Sequence, residues 1–134
     1  MTIQDQIQQF LASPTFGVVG ASTNRQKYGN KVLRCYLQNG KNAIPVNPNE
    51  AEIEGIPCAA TISDLPANVV SISMITPPAV TAQLVPLALA KGIRNIWMQP
   101  GAEHPDAVTL CRERGVNVIA DGSCLLVVMG YHEH

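Results

Sequence analysis

Ser22, Thr23, Arg25 and Lys27 lie close together, directly behind the apolar run Phe16-Gly17-Val18-Val19-Gly20-Ala21 and directly ahead of Tyr28-Gly29. Two hydroxyls, two cations and the free amides of a helix start are groups that hold a phosphate, and glycine at the strand's end lets the backbone turn sharply beneath it. The charge pattern agrees. Residues 6–49 contain no acid, while five of the nine cations, Arg25, Lys27, Lys31, Arg34 and Lys41, fall among them. The formal net charge of -1 therefore conceals a positive first half suited to an anion. Lys31 and Arg34 are expected on the solvated face of a helix. Lys27, inside the loop itself, is the expected phosphate contact.

The other residue types that carry chemistry are scattered. The four cysteines, Cys35, Cys58, Cys111 and Cys124, form no C-x-x-C pair and have no histidine at ligand spacing, so they read as reduced, mostly buried thiols and no metal site is expected. Cys124 has two readings: a small buried hydrophobe, or a thiol able to attack a thioester or join a mixed disulfide. His104 falls at a helix start and His132 and His134 in a terminal tail, each expected to be solvated and without a catalytic partner. Asp121 follows the last strand and is expected to cap a turn. No paired carboxylates and no Ser/His/Asp order point to a catalytic set, so no catalytic residue is assigned.

The elements that must position the loop follow from periodicity and punctuation. At 134 residues the chain fits one domain with a sizeable core. With 46% hydrophobic and 14% charged residues, it suits strands covered on both faces better than a half-wet antiparallel sheet. Residues 2–13 put Ile3, Ile7, Phe10 and Leu11 on one helical face, with Thr2 as N-cap. Residues 16–19 form the first strand, and residues 30–39 a helix with Val32, Leu33, Tyr36 and Leu37 inward, closed by Gly40.

Strands are further predicted at 43–46, 69–75, 94–98 and 116–120. Helices are predicted at 79–91, kinked or broken by Pro86 and with Val80, Leu84, Leu87 and Ala88 inward, and from Pro105 to a stop at Gly115. Residues 50–66 read as turns with one short helical turn. The apolar tail 125–129 is expected to add an extra edge element. Five strands alternating with helices make an open parallel α/β sheet, with the ligand at the strands' carboxyl ends. The loops there are residues 20–27, Asn47-Pro48, Thr76-Pro77-Pro78 and Gln99-Pro100-Gly101-Ala102.

Function classes narrow accordingly. Balanced charge and 4% aromatic residues argue against nucleic-acid binding. No N-terminal segment pairs cations with an apolar run and a cleavage site, and no stretch of about 18 apolar residues could span a bilayer, so a cytoplasmic protein is expected. The partner is a small-molecule nucleotide ligand, and nothing identifies a protein partner. The loop fits neither G-x-G-x-x-G, since Ser22 and Arg25 occupy the later glycine positions, nor a P-loop. At the end of the second strand, where a carboxylate would hold the ribose diol of NAD, stands Asn47. A neutral amide tolerates a ribose phosphate, so coenzyme A and NADP rank together on these grounds, with the pyrophosphate on the Ala21-Ser22-Thr23 amides and the extra charge at Arg25 and Lys27.

An ordered set of short motifs separates the two: Val19-Gly20-Ala21-Ser22 with Lys27-Tyr28-Gly29, Ile44-Pro45-Val46-Asn47-Pro48, Ser63-Asp64-Leu65-Pro66, Thr76-Pro77-Pro78, and Ile96-Trp97-Met98-Gln99-Pro100-Gly101-Ala102. On these the chain, over residues 13–128, resembles the small stand-alone CoA-binding proteins related to the CoA-binding domain of the succinyl-CoA synthetase α subunit. The resemblance implies an α/β fold with a Rossmann-like open parallel sheet of about five strands, helices on both faces, and coenzyme A or an acyl-CoA as ligand. It implies phosphates at Ser22, Arg25 and Lys27 and adenosine near Asn47, Pro48, Thr76, Pro77 and Pro78. Gly20, Ala21, Thr23 and Tyr28 complete the loop, and Gln99 reaches the cleft. Two positions depart from relatives: Thr76 where Arg is common, and Asp121-Gly122-Ser123-Cys124 in place of Asp-Arg-Cys. The expected function is non-catalytic CoA binding; the alternatives are an NADP-binding redox protein and the CoA-binding half of a split acyl-CoA synthetase.

Overall fold

Short runs of Val, Ile and Phe flanked by polar turns pair best where both faces are covered, and the computed structural model, which describes residues 1–133, builds them into one sheet. Strands β1 (Thr15–Val19), β2 (Asn42–Val46), β5 (Ser71–Met74), β6 (Asn95–Met98) and β7 (Asn117–Ile119) pair in the order β2-β1-β5-β6-β7, every pair parallel. The two remaining strands, β3 (Glu52–Ile53) and β4 (Ile56–Pro57), form a small antiparallel hairpin inside the segment read as turns. His134 lies outside the described residues. The fold is the α/β, Rossmann-like parallel sheet that the sequence predicts.

Helices cover both faces. On one, α3 (Pro78–Lys91) and α4 (Pro105–Glu113) pack Val85, Ala88, Ala107 and Cys111 against Val19, Ile72, Met74, Ile96 and Met98. On the other, α1 (Ile3–Leu11), α2 (Tyr28–Gln38) and α5 (Leu125–Met129) cover a core of Phe10, Phe16, Tyr36 and Trp97. Phe16 stacks on Tyr36 with ring centroids 4.6 Å apart, and Phe10 meets Trp97 edge-on at 5.3 Å. Thr2 caps α1 as expected, its Oγ1 accepting from the Asp5 amide while Asp5 accepts from the Thr2 amide. Trp97 is core, as its place in a central strand requires.

Four expectations need correction. Residues 125–129 are a helix: Leu125, Leu126 and Met129 pack inward at helical spacing, while Val127 and Val128 are exposed. In α2, Leu37 faces solvent and Arg34 and Cys35 are buried, because the segment from α5 onward covers that side. The inward row of α3 is Thr81, Val85 and Ala88, with Val80 and Leu87 exposed. Its helix runs without a break through Pro86, which lies on the exposed side where water can satisfy the carbonyl left without a donor.

The chain turns back at β1: one crossover leads outward to β2, the next passes over to β5 on the opposite side. This switch point opens a crevice between the loops after β1 and β5. Gly20 closes β1 with φ +92, and a Cβ there would lie 2.1 Å from the Ile75 carbonyl oxygen; a Cβ on Gly29 would lie 2.0 Å from the Gly20 oxygen. Both positions exclude any side chain, for backbone cannot retreat as a flexible side chain can. Gly29→Ala is therefore expected to cost at least about 3 kcal/mol in urea denaturation. Gly40→Ala, with φ +72 but open space around it, should cost only about 1–2 kcal/mol.

Candidate functional site

Close packing of Gly29 on Gly20 sets the first turn of α2 over the carboxyl end of β1. Lys27 is the N-cap residue and supplies no side-chain cap. Among the described residues the amides of Ser22, Thr23, Tyr28 and Gly29 have no protein acceptor, so the loop presents unpaired donors at the positive end of a helix. The loop is internally braced: Ser22 Oγ accepts from the Asn24 amide at 3.0 Å, Asn24 Oδ1 from the Gln26 amide at 3.0 Å, and the Asn24 carbonyl from the Lys27 amide at 3.0 Å. Gly20, Ala21, Ser22, Lys27, Tyr28 and Asn47 line a hollow of about 500 Å³ whose wall is close to evenly divided between polar and apolar surface.

Asn47 forms the far wall and is already engaged. Its Nδ2 donates to the Ala21 carbonyl at 2.9 Å, and its Oδ1 accepts from the Asn49 amide at 2.7 Å. It ties the ends of β1 and β2 together. Beyond it an apolar groove of about 390 Å³ runs between Pro48, Ile62, Thr76 and the Val80, Leu84 and Leu87 side of α3. Thr76 shares a 2.6 Å hydrogen bond with the buried Thr81 hydroxyl. That bond turns the Thr76 hydroxyl back toward α3.

On the other side of the loop Tyr28, Thr76, Pro77, Gln99, Cys124 and Val127 enclose a cleft of about 590 Å³. Gln99 is 3% exposed; its Oε1 accepts from the Leu125 amide at 2.8 Å and its Nε2 donates to Cys124 Sγ at 3.4 Å. Trp97 Nε1 donates to the Ser123 carbonyl at 2.9 Å, and Asp121 Oδ1 accepts from the Ser123 amide at 3.0 Å. Asp121 thus caps a turn as expected, with its carboxyl held below the usual range by hydrogen bonds from Ser123. Cys124 is half-buried and lines the cleft. The reading of it as a fully buried hydrophobe does not hold, because Gln99 holds the start of α5 with the thiol facing open space.

Of the residues singled out in the sequence, Gly20, Ala21, Ser22, Lys27, Tyr28, Asn47, Pro48, Thr76, Pro77 and Gln99 line these three adjoining hollows. Thr23, Arg25 and Pro78 do not. Arg25 turns toward Glu54, 3.6 Å away, and Pro78 occupies the first turn of α3. The stretch without acids is not without acids in space: the β3–β4 hairpin brings Glu54 to Arg25, and the C-terminal segment brings Glu133 within 3.4 Å of Arg34 and 3.9 Å of Lys31. Arg34 is 4% exposed, against the expectation of a solvated helix face. Lys27 has no carboxylate partner among the described residues. Val80, Leu84, Leu87 and Val127 were not anticipated as site residues; the one available signal was their excess of apolar surface over what a single helix face needs.

A family model described as "CoA binding domain" matches residues 14–129. An ADP-forming acetate–CoA ligase of Archaeoglobus fulgidus is 35% identical over 72 residues, which are 54% of this chain and 10% of that protein. The chain thus spans about a tenth of the length of that curated relative. A conserved hypothetical protein of Pyrococcus furiosus superposes with a TM-score of 0.81 at 38% identity, covering 85% of this chain and 97% of that one. A dinucleotide-forming acetyl-coenzyme A synthetase of Ca. Korarchaeum cryptofilum shares the fold at a TM-score of 0.75 and 23% identity, over 87% of this chain and 28% of that one.

The four thiols should differ in reactivity. Burial pushes Cys35 and Cys111 up to about 11, so near neutral pH they carry almost no thiolate and are also shielded. Cys58 is held up by burial and by Glu50 and Glu52. Iodoacetamide at about pH 8 is expected to label Cys124 first and Cys58 more slowly, and Cys35 and Cys111 only after unfolding; mapping of labelled peptides by mass spectrometry measures the order.

Proposed function

The chain belongs to the CoA-binding domain family, and from that premise we propose that it binds coenzyme A or an acyl-CoA across the β1–β5 switch point. The observation that carries the reading is the uncapped start of α2, with unpaired amides and Lys27, set where the three hollows meet. The pyrophosphate would rest on the Ser22 and Tyr28-Gly29 amides and the Lys27 ammonium. The adenine would enter the apolar groove beyond Asn47 and Pro48, against α3. The pantetheine arm would follow Tyr28 toward Gln99 and Cys124, where the cleft is large enough for it. Asn47, neutral and tied into the backbone, leaves the ribose phosphate unopposed by a carboxylate.

The residues lining the three hollows include no histidine and no acid. Lys27, Tyr28 and Cys124 can exchange protons there, but no histidine or carboxylate stands beside them to activate one or to carry a phosphoryl group, so the site favours holding a ligand over transforming it. A second reading, the CoA-binding part of a larger acyl-CoA ligase assembly, draws on the match to the acetate–CoA ligase; co-purification with a separately encoded partner would favour it.

Titration with CoA, dephospho-CoA, NADP and NAD, followed by calorimetry and by the thermal midpoint, tests the proposal, because a ligand that prefers the folded state raises its stability. CoA should bind most tightly. A tighter response to NADP would overturn the CoA reading, and equal binding of dephospho-CoA would remove the role of the ribose phosphate. Lys27→Ala should weaken CoA by about 1–3 kcal/mol with the fold intact; unchanged affinity would exclude Lys27 as a phosphate ligand.

A further inference from the structure

Arg34 is the one buried cation among the described residues, and nothing in the proposed contact set uses it. Its guanidinium reaches in three directions. Nη2 donates to the Arg25 carbonyl at 2.7 Å, Nε donates to Asn30 Oδ1 at 2.6 Å, and the Glu133 carboxylate lies 3.4 Å from Nη2. Asn30, fully buried, passes the restraint on: its Nδ2 donates to the Ser22 carbonyl at 2.8 Å and to Glu54 Oε2 at 3.2 Å. Two carbonyls of the phosphate loop, Ser22 and Arg25, are thereby drawn toward α2 from beneath.

In a trans peptide the carbonyl and the following N–H point in opposite directions, and among the described residues no peptide is cis. Fixing the Ser22 carbonyl inward therefore turns the Thr23 amide outward, away from α2. The same two anchors decide the path of residues 22–25, which carry Ser22 to the rim of the hollow at the loop. The C-terminal segment completes the arrangement. His132 exchanges two hydrogen bonds with Gln38, at 2.7 and 3.0 Å, Asn39 Nδ2 donates to the Gly130 carbonyl at 3.0 Å, and the Tyr131 ring lies 5.5 Å from the Arg34 guanidinium carbon. The segment thus lies over Arg34 and supplies the only carboxylate that reaches it among the described residues.

We infer that Arg34, seated by Glu133, is a positioning residue: it acts through the Ser22 and Arg25 carbonyls to hold the loop in its anion-accepting shape without touching the ligand. This rests on the proposed CoA site. Lysine cannot replace it fully, since a single ammonium lacks the planar fork that serves a carbonyl, an amide oxygen and a carboxylate together. Glutamine removes both the charge and the fork.

The test pairs CoA calorimetry with hydrogen exchange of the ligand-free protein, on the full chain and on Arg34→Gln, Arg34→Lys and Glu133→Gln. Arg34→Gln is expected to weaken CoA at least about tenfold and to speed exchange in residues 20–27 while β1 and β5 stay protected. Arg34→Lys should recover part of the affinity and remain at least about threefold weaker than the original, and Glu133→Gln should fall on the same side. Arg34→Lys within about twofold of the original in affinity, with unchanged exchange in residues 20–27, would overturn the inference, and does so even if Arg34→Gln fails to fold. Absence of CoA binding by the unsubstituted chain would instead sink the reading of the site; the exchange comparison then decides separately whether Arg34 orders the loop.

Discussion

The contact on which the rest depends is between two pieces of backbone. The first turn of α2 rests on the carbonyl of Gly20, the residue just past β1, so closely that residue 29 has room for no side-chain atom, and residue 20 is excluded in the same way by the carbonyl of Ile75. Bringing helix and strand this near places the helix start, with its unpaired amides, directly at the sheet's carboxyl edge instead of one side chain's thickness away. In the usual dinucleotide loop three closely spaced glycines do this. Here two glycines nine positions apart perform the turning and packing roles, and the longer loop between them is held by its own Ser22 and Asn24 side chains.

Electrostatics at the loop are local and mixed. The cations that crowd residues 25–34 are partly neutralised by acids from distant parts of the chain, Glu54 from the hairpin and Glu133 from the C-terminal segment. The exposed pairs, Arg25 with Glu54 and Lys31 with Glu133, contribute little to stability, whereas the Arg34 end of its pair is buried. The consequence of the pairing is selection among the cations: Arg25 and Arg34 are occupied, and Lys27 is left facing the hollow at the loop. A neutral Asn47 on the opposite wall keeps carboxylate charge off that side.

Three hollows of different character meet at this loop, one part polar, one apolar against α3, and one mainly apolar and ending at Cys124. The division follows from topology. Because the crossovers part on either side of β1, the crevice extends both ways, toward β2 and toward β6. The exposed Val80 and Leu87, poorly explained as helix surface, make sense as a wall of the apolar branch. Gln99 fixes the other branch by capping α5 from within, a polar side chain made tolerable in a buried place by two hydrogen bonds.

Local order was legible in the residues themselves. The five strands of the sheet, the four longer helices, the Thr2 cap, the Pro105 helix start, the turn at Gly20 and the place of Lys27 just ahead of a helix all follow from periodicity, capping chemistry and backbone freedom, which act over a few residues. What lay out of reach depended on residues far apart in the chain. Burial of Arg34, partnership of Arg25 with Glu54, conversion of 125–129 into a helix against α2, and the row of α3 that turns inward all require knowing which surfaces meet. Charge and hydrophobicity read along a sequence average over neighbours in the chain, whereas the Coulomb and packing energies that decide these features fall off with distance in space.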